Sequence, residues 1–227
     1  MSTLIIIPAF NEAPVIATTI THIKKHLNGH LNSAILVIDD GSTDDTYQMA
    51  RTAGVFVLRH LLNRGLGGAL GTGLAYARDH HYDFAVTLDA DGQHDPEDIN
   101  RVLQPLITSQ ADVVIGSRTL SHQGKLPLDR KIIIMLSNLL TELLFNQPTT
   151  DSLSGFRGFN RRALESIVIK TDRMEVSNEF FSEIKRLGLK LAEVPIKIIY
   201  TDYSRSKGQS HTNSLNIIYK LLLRLFR

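Results

Sequence analysis

The chain has 227 residues, 43% of them hydrophobic, with 25 basic against 23 acidic side chains and a net charge of +2. That length suits one domain, or two small ones, with a full core, and so even a charge balance gives no argument for nucleic acid as a partner. Cysteine is absent, which excludes disulfides, zinc–thiolate sites and thiol nucleophiles and is compatible with a reducing compartment.

Met1-Ser2-Thr3 leads into the apolar run Leu4–Ile7, too short for a signal core and without a basic start. It reads as a buried parallel strand. Asn11 is predicted to cap a helix running to about Leu27, with Val15, Ile16, Ile20, Ile23 and Leu27 near helical spacing. Ala34–Ile38 is the second strand, and Thr43 or Asp44 starts a helix ending near Gly54. Val55–Leu58 is the third strand, followed by a glycine-rich entrance into a helix through Ala75-Tyr76-Ala77. Phe84–Leu88 and Asp112–Ile115 are the fourth and fifth strands. This alternation predicts an α/β fold, a mostly parallel sheet with helices on both faces.

The second half is less regular. Leu128–Phe145 reads as a helix ended by Pro148. Ser137, Asn138, Thr141 and Glu142 interrupt its apolar run, so a buried or interfacial helix is expected rather than a membrane span. A strand at Gly155–Phe159, a helix at Arg161–Val168, a helix at Val176–Leu187 with Gly188 at its C′ position, and a strand at Val194–Tyr200 follow. Ser214–Phe226 is the terminal helix. With no repeat or linker in evidence, residues 1–211 are expected to form one domain, its nucleotide-binding half at about 1–118 and its acceptor half at about 119–211.

Chemistry concentrates where strands end. Asp89-Ala90-Asp91 follows the fourth strand, with Gln93 and His94 next and Asp95-Pro96 placed to open a helix. Two carboxylates this close raise each other's pKa unless something positive neutralises them. A Mg²⁺ or Mn²⁺ ion completed by nucleotide phosphates is one remedy, and a simple acidic turn is the other reading. Pro8-Ala9-Phe10-Asn11-Glu12 ends the first strand, where open α/β sheets bind ligands, although a capped turn explains Asn11 as well. Asp39-Asp40-Gly41-Ser42-Thr43-Asp44 ends the second. Asp44 and Asp45 suit a helix-capping turn, whereas adjacent Asp39 and Asp40 repel with no evident structural return and suit a base or ribose. Asn63-Arg64-Gly65-Leu66-Gly67-Gly68 allows either backbone contact to phosphate or tight helix packing. No dinucleotide fingerprint and no P-loop occurs. Gly116-Ser117-Arg118, with Lys125, Arg130 and Lys131, is a basic segment suited to phosphate or to solvent. The polar, basic loop Tyr203–His211 has the character of one that closes over a diphosphate. Histidines 22, 26, 30, 60, 80, 81 and 122 show no metal-ligand grouping and are expected at the surface.

Taken in order, Pro8–Glu12, Asp39–Asp44, Asn63–Gly68, Asp89–His94, Gly116–Arg118 and Ser154-Gly155-Phe156-Arg157 resemble a family-2 glycosyltransferase of GT-A fold, most of all the dolichyl- or polyprenyl-phosphate mannosyl- or glucosyltransferases. The resemblance covers residues 4–211. It implies that Pro8, Ala9, Asn11, Glu12, Asp39 and Gly65 line the donor nucleoside site. Asp89, Ala90, Asp91 and Gln93 would hold Mg²⁺ or Mn²⁺ and the donor diphosphate, with Asp91 catalytic. Arg118 and Arg130 would receive the acceptor's phosphate, and Arg205 and Lys207 would clamp the diphosphate. The mannosyl relatives read Arg-x-x-Gly-x-Ser-Lys in that loop, whereas this chain reads Arg205-Ser206-Lys207-Gly208-Gln209-Ser210-His211, which leaves donor sugar and base open.

The expected reaction is inverting, metal-dependent transfer of a hexose from a GDP- or UDP-linked donor to a polyprenyl monophosphate. A sugar hydroxyl as acceptor is the alternative; it needs a general base, for which Asp151 is the candidate. A catalytically silent binding or assembly subunit on the same fold is the rival from another class. Residues 212–227 form a basic amphipathic pattern, Lys220, Arg224 and Arg227 on one face and Ile217, Ile218, Leu221, Leu222 and Leu225 on another. The protein is therefore expected to be peripheral at the cytoplasmic face of a membrane, by this tail or through a membrane partner protein.

Overall fold

The computed structural model describes residues 1–27, 32–121, 127–199 and 203. In chain order its elements are β1 (Ser2–Ala9), α1 (Ala13–Leu27), β2 (Asn32–Asp39), α2 (Thr46–Thr52), β3 (Phe56–Arg59), α3 (Leu66–Asp79) and β4 (Phe84–Thr87). They continue with α4 (Asp98–Ile107), β5 (Val113–Ser117), α5 (Leu128–Phe145), β6 (Arg157–Asn160), α6 (Arg161–Ser166), α7 (Val176–Leu187) and β7 (Leu191–Pro195). The strands form a seven-stranded sheet in the order β3-β2-β1-β4-β6-β5-β7. Because successive side chains point to opposite faces, β1 supplies both cores. Ile5 and Ile7 join Ile16, Ile20 and Ile23 of α1 and Ile99, Val102 and Leu106 of α4 on one side. Leu4 and Ile6 join Leu70 and Leu74 of α3, Leu164 of α6 and Phe180 and Ile184 of α7 on the other.

Four departures from the sequence reading matter for the site. Strand β6 runs antiparallel to both neighbours and separates β4 from β5, which alternation alone did not reveal. Asn11 has a left-handed backbone, φ 54°, and lies before α1; Asp44 Oδ2 accepts the Ala13 N–H instead, at 3.1 Å. The second helix opens at Thr46, because Asp44 and Thr46 bond one another within the preceding turn. The last strand is Leu191–Pro195 rather than 194–200, drawn into register by parallel pairing with β5, while Ile198 makes only an isolated bridge to His94. The terminal helix and the loop carrying Arg205 and Lys207 lie outside the described residues.

Candidate functional site

The parallel strands β1, β2, β4 and β5 release their chain at one edge, where ligands bind in open α/β sheets. The reversed β6 begins at that same edge. Thr87 of β4 and Ile115 of β5 both face Arg157 in register, so the start of β6 lies against the turn after β4.

That turn carries the acidic pair. Asp91 accepts from the Gln93 backbone N–H at 3.0 Å and from its side-chain amide at 2.6 Å, so Gln93 orients Asp91. The Thr19 hydroxyl donates to the Ala90 carbonyl at 3.0 Å and ties the turn to α1. His94 is buried, packs on Phe156 at 5.1 Å between ring centres, and is held down to about 4, by burial above all, so its ring is neutral. Its Nδ1 accepts the Asp89 N–H at 3.3 Å. The Asp89 carboxylate keeps an open side toward the cleft, yet the protein crowds it enough that lost hydration raises its pKa, against the pull of Arg118 and Arg157. Burial, and then Asp89 itself, raise Asp91, against His94 and Gln93. The pair is short of positive charge. Among the described residues no three acidic or histidine side chains are grouped so as to hold a metal by themselves, and two carboxylates are the donor set Mg²⁺ or Mn²⁺ takes when substrate phosphates complete the shell. The residues fit such an ion.

Beneath Asp89 lies a feature the motif contained but the sequence reading did not single out. A Cβ at Gly155 would collide with the Asp89 carboxylate, so glycine there lets the acid lie on the backbone. Arg157 is buried, donates to the Ser154 and Ser152 carbonyls at 2.9 and 3.2 Å, and stacks over the Phe180 ring at 4.5 Å. Burial lowers it to about 10, so it stays cationic and is drawn to Asp89 and Asp151. Its signal in the sequence was an arginine in an otherwise apolar strand.

Asp151 is fully buried and grips Arg118 with both oxygens, at 2.6 Å to Nε and 2.7 Å to Nη2, and also accepts the Arg118 N–H. Glu193 holds the neighbouring Thr150 through its backbone N–H at 2.9 Å and hydroxyl at 2.7 Å. The geometry makes Asp151 a fixture for Arg118; an oxygen so engaged is poorly placed to take a proton. Arg130 lies in the first turn of α5, half-buried.

At the other end of the cleft, Pro8 and Ala9 pair with Ile38 and Asp39. The Asn11 N–H donates to Ser42 Oγ at 2.9 Å and the Glu12 N–H to Thr46 Oγ1 at 2.7 Å, which locks the two strand-end loops together. Tyr203 donates its hydroxyl to Glu12 Oε2 at 2.8 Å. Asp39 is fully buried; its Oδ1 accepts the Ser42 N–H at 3.2 Å, while Oδ2 lies 3.1 Å from Arg59 Nε without completing a hydrogen bond. Asp40 corrects the sequence reading. It has a structural return: it accepts Arg64 N–H at 3.0 Å, Gly65 N–H at 2.6 Å and His60 Nδ1 at 2.7 Å. His60 is likewise not a free surface residue, since its other nitrogen meets Thr72 Oγ1 at 2.9 Å. The glycine-rich entrance is shaped by packing. A Cβ at Gly67 would strike the Thr171 carbonyl, one at Gly65 would come 2.6 Å from the Asp172 carbonyl, and one at Gly73 would strike Ile6. With its N–H taken by Asp40, Gly65 shapes the loop beside the end of β2.

The model of the glycosyl transferase family 2 matches residues 4–168. The chain belongs to that family. It is 35% identical to the UDP-N-acetylglucosamine–dolichyl-phosphate N-acetylglucosaminyltransferase of Methanococcus voltae over 96% of this chain and 94% of that protein. It is 32% identical to the undecaprenyl-phosphate mannosyltransferase of Micrococcus luteus over 91% of this chain and 87% of that one. Among solved structures, glucosyl-3-phosphoglycerate synthase of Mycobacterium tuberculosis, in complex with Mn²⁺, UDP-glucose and phosphoglyceric acid, superposes with a TM-score of 0.71 at 24% identity, covering 98% of this chain and 79% of that one. The fold is therefore GT-A and the protein a family-2 glycosyltransferase, as the motifs implied.

Proposed function

We propose that this glycosyltransferase moves a hexose, with inversion, from a UDP- or GDP-linked donor to a polyprenyl monophosphate, with Mg²⁺ or Mn²⁺, peripherally at the cytoplasmic face of a membrane. The observation that carries the reading is the Asp89–Asp91 pair at the sheet's ligand edge, Asp91 oriented by Gln93 and Asp89 resting over Gly155, with the buried Arg157 and the half-buried Arg118 beside it. Asp89 and Asp91 would hold the ion, which when bound neutralises the departing diphosphate. Asp39 Oδ2, a buried oxygen with no completed hydrogen bond, suits an N–H of the donor's base, and Glu12 lies on the adjoining loop. Arg118, fixed by Asp151, is placed for the acceptor's phosphate. Arg130, Arg205 and Lys207 complete the proposed phosphate contacts.

A phosphate acceptor is already an anionic nucleophile near neutral pH, so no strong base is needed. The acceptor is supported by the relatives named for dolichyl- and undecaprenyl-phosphate transfer. It also agrees with Asp151 being fully engaged by Arg118, which leaves a sugar-hydroxyl acceptor without its candidate base. The test is incubation with UDP-N-acetylglucosamine, UDP-glucose or GDP-mannose, polyprenyl phosphate and Mn²⁺, reading lipid-linked sugar by mass spectrometry. A glycosyl polyprenyl phosphate from one donor is expected. Donor consumption only when a sugar-hydroxyl acceptor is added would transfer the assignment to glycoconjugate synthesis.

A further inference from the structure

The glycines that open α3 and the chain just before α7 are built against each other. The Gly68 N–H donates to the Asp172 carbonyl at 3.0 Å, and bare Gly67 lets the Thr171 carbonyl approach where a Cβ would collide. From the first turn of α7, Glu179 accepts the Lys170 and Thr171 N–H groups at 2.8 and 2.9 Å and the Thr171 hydroxyl at 2.6 Å. These bonds fix a junction that borders a cavity of about 40 Å³. Leu66, Leu70 and Met174 give the cavity apolar walls, and Asp89, Arg157 and Ser177 give it polar ones. Two of those polar groups lack a partner. Arg157 spends Nε and Nη2 on the Ser154 and Ser152 carbonyls, and its Nη1 has no acceptor among the described residues. The hydroxyl of Ser177, a residue only 5% exposed, has no hydrogen-bond partner among them either. Buried donors left unserved cost free energy until an acceptor reaches them. Size says what kind of acceptor. A cavity of about 150 Å³ holds a benzene ring, so this one suits a group of about three heavy atoms. It takes one substituent of a sugar, not the ring.

We propose that this cavity receives the 2-acetamido group of the donor sugar, so that the hexose transferred is an N-acetylhexosamine. This rests on the donor-site reading, in which Asp89 helps to hold the diphosphate. Carbon 2 is bonded to the anomeric carbon that carries the diphosphate, so its substituent lies close to the groups that hold the diphosphate. Asp89 is at once one of those groups and a wall of the cavity. An acetamido group matches the lining part by part. Its carbonyl oxygen accepts from Arg157 Nη1 or the Ser177 hydroxyl, and its methyl lies against Leu66, Leu70 and Met174. The hydroxyl at carbon 2 of glucose or mannose brings no apolar atom and leaves those walls without contacts. A carboxylate would also answer Arg157, but Asp89 repels a second anion and the apolar walls cannot solvate one.

The experiment measures kcat/KM of the full-length protein for UDP-N-acetylglucosamine and UDP-glucose, which share a base and differ at carbon 2, with Mn²⁺ and undecaprenyl phosphate. GDP-mannose is the third donor. The parent should prefer UDP-N-acetylglucosamine to UDP-glucose by about 100-fold or more, the scale of buried polar groups left unpaired together with a lost apolar contact. Ser177→Leu fills the cavity and should cut that ratio by about tenfold or more, with the thermal melt checking its fold. Ser177→Ala removes only the hydroxyl and should cut the ratio by about threefold to tenfold, and it carries the test if the leucine variant does not fold. Equal or better use of UDP-glucose, a preference for GDP-mannose, or a ratio unchanged in either folded variant overturns the proposal. Failure of the reaction assignment looks different: no donor then yields a lipid-linked sugar. Thermal shifts with Mn²⁺ still judge the cavity in that case. A larger rise with UDP-N-acetylglucosamine than with UDP-glucose, lost in the folded variant, upholds it, and equal rises overturn it.

Discussion

Two acidic pairs stand at strand ends of this transferase, and they do opposite things. Asp39-Asp40 ends β2, and Asp40 is saturated by protein: two backbone N–H groups and a histidine converge on it. Asp89 and Asp91 follow β4; the pKa of each is raised, and Asp89 opens to the cleft. Clustered carboxylates in a sequence signal a need for positive partners. Only the fold tells whether the chain supplies them or leaves them to a ligand. Asp39 stands between the cases, with one oxygen served from within and the other left incomplete.

The sharpest way to break this contrast is to neutralise one acid of each pair. Asp91→Asn should lower turnover by about 10³-fold or more, the scale of a lost electrostatic partner at a leaving group, with an unchanged thermal melt. Turnover near the parent's with metal present would remove Asp91 from the site. Asp40→Ala should act the other way round, destabilising the fold by about 3 kcal/mol in urea denaturation, because it strands buried donors. Undiminished stability there would mean Asp40 is a ligand residue after all. Gly155→Ala should leave most of the stability intact but push the Asp89 carboxylate aside, reducing turnover by about 10- to 100-fold. A third acid, Asp112, sharpens the comparison at the smallest scale. Burial opposes its ionisation, but the Lys190 N–H, Asn160 and Arg162 prevail and hold its pKa below the usual carboxylate value. A depressed folded pKa contributes stability above the unfolded value of about 3.9 and loses it as pH falls through the folded one. The stability gap between parent and Asp112→Asn should therefore be present at neutral pH and narrow in acid.

Much of this was legible in the sequence because it is local. Helix α5 at Leu128–Phe145 and α7 at Val176–Leu187, with left-handed Gly188 closing it, follow from periodicity and a C-terminal glycine. The acidic turn after β4 followed from an apolar run meeting charge. What was not legible is long-range. Nothing near residue 157 says that its strand runs backwards between β4 and β5, yet that reversal brings Arg157 and Gly155 against Asp89. Nor does the spacing of Asp40, His60 and Arg64 announce that the 60–65 segment closes on one carboxylate from three sides. The glycines of α3 could be noticed locally but not interpreted, since the 169–173 segment and Ile6, against which they pack, lie far away in the sequence.

The pair after β4, and not the pair after β2, is the one assigned to a metal–diphosphate. A thermal-shift panel of UDP and GDP, each with and without Mn²⁺, measures it most directly, because a ligand that binds only the folded state stabilises by mass action. One of the two nucleotides should raise the melting temperature of the parent only when Mn²⁺ is present, and Asp91→Asn should abolish the rise. Equal stabilisation without the metal, or an undiminished rise in Asp91→Asn, would contradict it.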